Sequence, residues 1–120
     1  MYEEQFTYKI RGAVFEVYRT LGSGFLESVY QNSLHKELQL QGLNVEAESA
    51  LQVHYKNSLV GEYRADLIVE NKILLKLKAQ QEIPQAAEVK LINYLKITGM
   101  KLGLLINFTH PKATVKRIVF

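Results

Sequence analysis

Apolar positions recur at two different spacings along the chain, and this difference separates helices from strands. A helical spacing predicts an amphipathic helix from about Tyr2 to Leu21, and the glycines in Gly22–Ser23–Gly24 then stop it. A second stripe at the same spacing predicts another helix that ends near Gly42. The residues that define the two stripes are Ile10, Ala13, Val14, Val17 and Leu21, and then Leu26, Tyr30, Leu34 and Leu38. We expect the two helices to pack as a pair.

The middle of the chain changes to a period of two, which is typical of strands. Val45 to Tyr55 is predicted as a strand, and Asn57 and Ser58 supply the turn that follows it. The stretch from Gly61 to Ala79 predicts two further strands, joined by a turn at Asn71 and Lys72. We expect this hairpin to form the centre of the sheet.

The two faces of this central hairpin differ in charge. One face carries Arg64, Asp66 and Ile68, then Leu74, Lys76 and Lys78, and the other carries Tyr63, Ala65, Leu67 and Val69, then Ile73, Leu75, Leu77 and Ala79. Charges within mostly apolar strands are costly unless they are paired, so Asp66, Lys76 and Lys78 form a candidate site. The alternative is that these three side chains face water on an ordinary half-solvated hairpin.

The last third of the chain predicts a crossover. Pro84 precedes a helix predicted over Gln85 to Thr98, which Gly99 ends. Lys101 to Phe108 predicts a buried strand that the helix connects in parallel, and Thr114 to Phe120 predicts a short edge strand. The order α, α, β, β, β, α, β, β predicts one α/β domain over residues 1–120, with a mixed central sheet flanked by helices.

Composition and charge narrow the classes of function. A chain of 120 residues that is 48% hydrophobic fits one compact core, and the net charge of +3 permits a polyanionic partner. The absence of cysteine excludes disulfides and thiolate metal sites. His35, His54 and His110 have no metal-site or triad spacing, so we expect ordinary surface residues. No apolar run could span a bilayer and no signal peptide is evident, so we expect a cytoplasmic protein without a membrane partner.

An ordered set of motifs gives the chain a family resemblance. Gly24, Glu27 and Tyr30 in GFLESVY match the motif of the GxxExxY protein family, and YRADLIV, LKA and LINYLK follow in that family's order and spacing. Over nearly its whole length the chain resembles these proteins, and through them the PD-(D/E)XK nuclease superfamily. The resemblance implies a restriction-endonuclease-like core of order αβββαβ, here with an extra N-terminal helix.

The resemblance also implies roles for particular residues. Asp66 matches the superfamily's metal-binding aspartate, and Lys78 matches the lysine of its (D/E)xK motif. Glu27 matches an acidic residue of the first core helix, and Tyr94 an aromatic position on the helix after the hairpin. Asp66 and Glu27 would then hold Mg²⁺ or Mn²⁺ against a phosphodiester, and the lysine would position the attacking water or stabilise negative charge. We expect Asp66, Lys76, Lys78 and Glu27 to converge in one cleft.

Two positions depart from the superfamily pattern. Lys76 stands where the motif needs an acid, and Lys90 stands where a glutamine is usual. An ammonium group ~4 Å from a divalent ion repels it by several kcal/mol at an intermediate dielectric, so the sequence predicts impaired or absent metal-dependent cleavage. Lys76, Lys78 and Lys90, together with Tyr94, are expected instead to bind DNA or RNA through its phosphates.

Two classes of function stay open on the sequence. The first is a nuclease-fold protein that binds nucleic acid and has lost most of its catalysis. The second is a non-enzymatic protein-interaction or assembly module on the same fold, with a homo-oligomer among its forms and no metal cofactor. For Asp66 itself, a structural ion pair with Lys76 or Lys78 is the alternative to a functional role.

Overall fold

The computed structural model describes residues 2–120. Over these residues the elements follow the predicted order, and their bounds are α1 (Tyr2–Leu21), α2 (Glu27–Leu40), β1 (Val45–Tyr55), β2 (Ser58–Val69), β3 (Ile73–Lys78), α3 (Gln85–Thr98), β4 (Leu102–Asn107) and β5 (Thr114–Val119). The fold is a single compact α/β domain with three helices and a five-stranded mixed sheet in the part described, as the sequence predicted.

The strands lie side by side in chain order, β1-β2-β3-β4-β5. Neighbouring strands are antiparallel except β3 and β4, which are parallel because α3 carries the chain back across the sheet between them. β5 therefore forms one edge of the sheet, as predicted, and β1 forms the other.

Helices cover both faces of the sheet. α1 and α2 pack on one face, where Leu67 and Leu75 meet Val14 and Leu34 in a buried cluster. α3 packs on the other face and covers a second cluster, which contains Leu74 and Leu105 among its members. Burial on both sides explains why β3 and β4 are almost continuously apolar. It also means that a charged side chain on either strand is removed from water.

The β1–β2 turn lies one residue earlier than the predicted turn at Asn57 and Ser58. Lys56 and Asn57 occupy the turn with φ of 48° and 69°, and Ser58 already pairs with Tyr55 as the first residue of β2. Positive φ at both central residues matches the right-handed twist of the flanking strands. Asn57 is therefore a turn residue, and β2 begins at Ser58, three residues before the predicted start at Gly61.

β2 and β3 pair over only a short length, and this creates a fork in the sheet. The register joins Leu67 to Val69 with Ile73 to Leu75, and beyond Leu67 β2 continues with β1 alone. We call the gap at Asp66 and Lys76, the next positions in this register, the fork. The predicted common face of Tyr63, Ala65, Leu67 and Val69 is wrong, because Tyr63 and Ala65 pack on the α3 side. Strict alternation fails where β2 separates from β3.

The close packing of α3 on β4 gives a test of the fold. A Cβ added to Gly103 would lie 2.9 Å from Leu91 Cδ1, and Leu91 is fully buried and cannot move into solvent. We expect Gly103→Ala to destabilise the protein by about 1–3 kcal/mol through overpacking. Gly12→Ala is the control, because its Cβ meets nothing within 4 Å on α1 and the change stabilises a helix interior by roughly 0.5–1 kcal/mol. Urea denaturation of both variants measures the difference, and equal effects would contradict this packing.

Candidate functional site

The fork places a carboxylate where the backbone ladder ends. Asp66 lies one residue beyond the last paired residue of β2, and its Oδ2 accepts a hydrogen bond of 2.8 Å from the backbone N–H of Leu77. The same oxygen lies 3.3 Å from Nζ of Lys76. The Asp66 carboxylate therefore replaces the strand partner that Leu77 lacks, and Lys76 balances its charge.

This ion pair is buried. The side chains of Lys76 and Asp66 are 7% and 11% exposed, so the alternative that both face water is wrong. α3 covers this face of the sheet, where Ile68 and Leu74 are buried beside the pair. Two buried charges are tolerable only as a pair, and removing one partner leaves the other uncompensated.

Gln31 and Glu48 extend the polar network at the fork, and sequence analysis missed both. Gln31, on α2, donates from Nε2 to Glu48 Oε1 at 3.0 Å and to the backbone carbonyl of Asp66 at 3.4 Å. Gln31 is a buried polar residue beside Tyr30 on the inward side of α2, and that position was the available signal. Glu48 adopts φ of 54° within β1, which no periodicity indicates.

Tyr94 reaches the same network from α3. Its side chain is 1% exposed, and its ring meets Tyr63 edge to face with 5.7 Å between centroids. Burial, followed by the charges of Asp66, Tyr63 and Glu48, raises the pKa of Tyr94 to about 12. The hydroxyl is therefore neutral at physiological pH, which suits a group that faces two carboxylates.

The remaining predicted site residues are less tightly held. Lys78 is half-buried on the same side of β3 as Lys76, and Lys90 is exposed one helical turn before Tyr94. Glu27 is the first residue of α2 and half-buried. Within residues 2–120, none of these three side chains forms an ion pair. The fork thus brings Asp66, Lys76 and Tyr94 together, and the convergence of Glu27 and Lys78 on them stays a prediction.

The residues at the fork do not fit a divalent metal ion. Oδ2 of Asp66 is occupied by the Leu77 N–H and the Lys76 ammonium, and that ammonium stands where a second carboxylate ligand would be needed. Across the described chain, no group of three or more acidic or histidine side chains is arranged to hold a metal. Gaining such a site requires the removal of Lys76 from Asp66.

Two sequence expectations concern other parts of the chain. His54 and His110 are exposed as expected, but His35 is half-buried on α2 and its Nε2 is buried without a hydrogen-bond partner. The expectation of an ordinary surface residue is wrong at His35, because one of its ring nitrogens is removed from solvent. None of the helices between residues 2 and 120 combines the length and hydropathy needed to cross a membrane.

Comparisons with known proteins agree with this architecture. The family model of the PD-(D/E)XK nuclease superfamily matches residues 4–118. The crystal structure of a protein named SSO0001 is similar with a TM-score of 0.61 and 20% sequence identity, over 78% of this chain and 50% of that one. This chain thus spans about half the length of SSO0001, and the likeness shows a shared fold. A search of curated proteins finds no match.

The Asp66–Lys76 pair gives a direct prediction about stability. We expect Lys76→Met to destabilise the protein by roughly 3–5 kcal/mol, because it leaves the Asp66 carboxylate buried and unpaired. The double variant Asp66→Asn, Lys76→Met should recover most of that loss, since the amide oxygen introduced at position 66 can still accept from the Leu77 N–H. Urea denaturation of the single and double variants measures the coupling. Additive losses would contradict a charge pair.

Proposed function

Because this chain belongs to the PD-(D/E)XK nuclease superfamily, we propose that it is a nuclease-fold domain that binds nucleic acid through phosphates and has lost metal-dependent cleavage. The buried Asp66–Lys76 pair is the observation that supports this proposal most strongly. It keeps the electrostatic balance of the superfamily site, with an ammonium group in place of a metal ion.

The Lys76 ammonium group can supply the positive charge of a metal ion but not its coordination chemistry. Lys76 supplies a fixed positive charge beside Asp66, which holds the fork together. It offers no open coordination position, so it neither orients a metal-bound water nor lowers the pKa of that water. Binding to phosphate is therefore retained in this proposal, and hydrolysis is not.

The charges available for phosphate binding are those of Lys78 and Lys90. Lys76 is offset by Asp66, and Lys116 is paired with Glu88 at 2.8 Å. Lys78 and Lys90 form no ion pair within residues 2–120, so their ammonium groups are available to a polyanion. Lysine contacts to phosphates neutralise charge without discriminating bases, so the proposed binding has little sequence specificity and a strong salt dependence.

A second candidate function is an assembly module, and one observation favours it. Tyr8 and Phe15 of α1 are 80% and 54% exposed, and Gly12 lies between them on the same side of the helix. Exposed aromatic side chains grouped on one helix are typical of protein contacts. In this alternative the partner is a second copy of the chain, and α1 rather than the fork carries the function. Sedimentation at increasing protein concentration detects such a dimer.

Salt-dependent binding tests the proposed function. We expect the affinity for a short DNA duplex and for single-stranded DNA and RNA to fall steeply with salt. Lys78→Ala and Lys90→Ala should each reduce the slope of log affinity against log salt by roughly 1, since each removes about one phosphate contact. Fluorescence anisotropy over a salt series measures both effects.

Lys36→Ala is the matched control for these substitutions. Lys36 is exposed on α2, between α1 and α2 rather than beside Tyr94, and its replacement removes the same charge. The control should leave the slope close to that of the unmodified protein. An affinity that changes neither with salt concentration nor on replacement of Lys78 or Lys90 would contradict the proposal and favour the assembly module.

A further inference from the structure

A pocket of about 380 Å³ lies at the carboxyl ends of the parallel strands β3 and β4, and neither Asp66 nor Lys76 lines it. We call it the end pocket. Three connections, those after α1, β3 and β4, supply Gly24 and the polar side chains of its lining, namely Ser23, Gln80, Gln81, Thr109 and His110. Its volume falls in the range of ligand pockets, and open α/β sheets bind ligands outside the carboxyl ends of their strands.

A buried amide fixes the wall of the end pocket that follows β3. Asn107 is 3% exposed, and its Nδ2 donates to the carbonyl of Gln80 at 2.7 Å while its Oδ1 accepts from the N–H of Gln80 at 3.1 Å. The N–H of Phe108 donates to the carbonyl of Lys78 at 2.9 Å. Together these bonds prolong the pairing of the two strands into the pocket and hold Gln80 in place.

The tyrosine of the GxxExxY motif fixes the wall that follows α1. The Tyr30 hydroxyl is buried, donates to the carbonyl of Gly22 and accepts from the N–H of Phe25 at 3.3 Å. Its ring stacks on Phe108 with 4.5 Å between centroids. Gly24, the first residue of the motif, adopts φ of 106°, which favours glycine. Two positions of the motif thus shape the end pocket.

The chemistry of the lining selects the ligand. None of the residues that line the end pocket is acidic, and two hydroxyls, two carboxamides and an imidazole provide hydrogen-bond donors. Lys78 is the last residue of β3, directly before the lining residue Ala79. Phosphate groups take hydrogen bonds from neutral side chains, backbone N–H groups and lysine in this way.

We propose that the end pocket binds a phosphomonoester, carried either by a free nucleotide or by the end of a nucleic-acid strand. The free nucleotide requires only the pocket. The strand end rests in addition on the proposed nucleic-acid binding, because the strand would extend from the pocket toward Lys78.

Three probes distinguish these sources by calorimetry. They are a short single-stranded DNA with a phosphate on its 5′ end, the same strand with a hydroxyl there, and thymidine monophosphate. Gln81→Glu introduces a negative charge into the end pocket, at an exposed residue whose replacement leaves the core intact. Gln5→Glu is the control, since it makes the same change at an exposed position of α1.

If the proposal holds, the end phosphate raises affinity by at least about tenfold over the hydroxyl strand, as expected for one charge-assisted hydrogen bond. Gln81→Glu should abolish that gain, and Gln5→Glu should preserve it. Thymidine monophosphate that binds as tightly as the phosphorylated strand identifies the free nucleotide as the source. A gain confined to the strand identifies the strand end.

Equal affinity for the phosphorylated and hydroxyl strands, with no binding of thymidine monophosphate, would overturn the proposal. So would a gain that Gln81→Glu leaves intact. Failure of the proposed nucleic-acid binding has a different result, because the hydroxyl strand would then not bind while thymidine monophosphate and the phosphorylated strand still bind. Nuclear magnetic resonance with inorganic phosphate provides a second measurement, in which the amide signals of Gly24 and Thr109 should shift and that of Gln5 should not.

Discussion

The rest of the site depends on one backbone N–H that has no strand partner. Where β2 separates from β3, the N–H of Leu77 is buried, and an unpaired buried donor costs about 1–3 kcal/mol. The Asp66 carboxylate satisfies it at 2.8 Å and thereby brings a negative charge into the interior. That charge requires a partner, and Lys76 provides one at 3.3 Å. The fork, the carboxylate and the ammonium group thus form one connected arrangement.

In this arrangement, the stability of a nuclease-like fold and its catalysis depend on the cation beside Asp66 in different ways. A cation beside Asp66 neutralises the buried carboxylate whether it is a metal ion or an ammonium group. Only the metal ion could also activate water. Gln31 joins this arrangement through hydrogen bonds to Glu48 and to the backbone of Asp66, and Tyr94 lies close enough for the charges of Asp66 and Glu48 to raise its pKa. Such a network can hold the fork together without any bound ion, and Lys78 and Lys90 form no ion pair within residues 2–120.

Periodicity predicted most of the fold and part of the site. Helical spacing, strand alternation and turn residues together predicted all eight elements, and the period of two placed Asp66 and Lys76 on one face, which α3 covers. The same rule misplaced Tyr63 and Ala65, because it assumes that β2 stays paired with β3. Glu48 has a positive φ and Asn107 bonds to a distant backbone, and neither property has a local signal in the sequence. Tertiary contacts, rather than propensity, determine those positions.

Calorimetry with Mn²⁺ on the unmodified chain and on Lys76→Glu tests most directly whether Lys76 stands in place of a metal ion. The substitution removes the competing ammonium group and adds a hard oxygen ligand beside Asp66. We expect weak or unsaturable Mn²⁺ binding by the unmodified chain and at least about tenfold tighter binding by the variant, which corresponds to about 1.4 kcal/mol. Lys9→Glu, an equal charge change at an exposed position of α1, should have no such effect. Tight Mn²⁺ binding by the unmodified chain that Asp66→Ala abolishes would contradict the account.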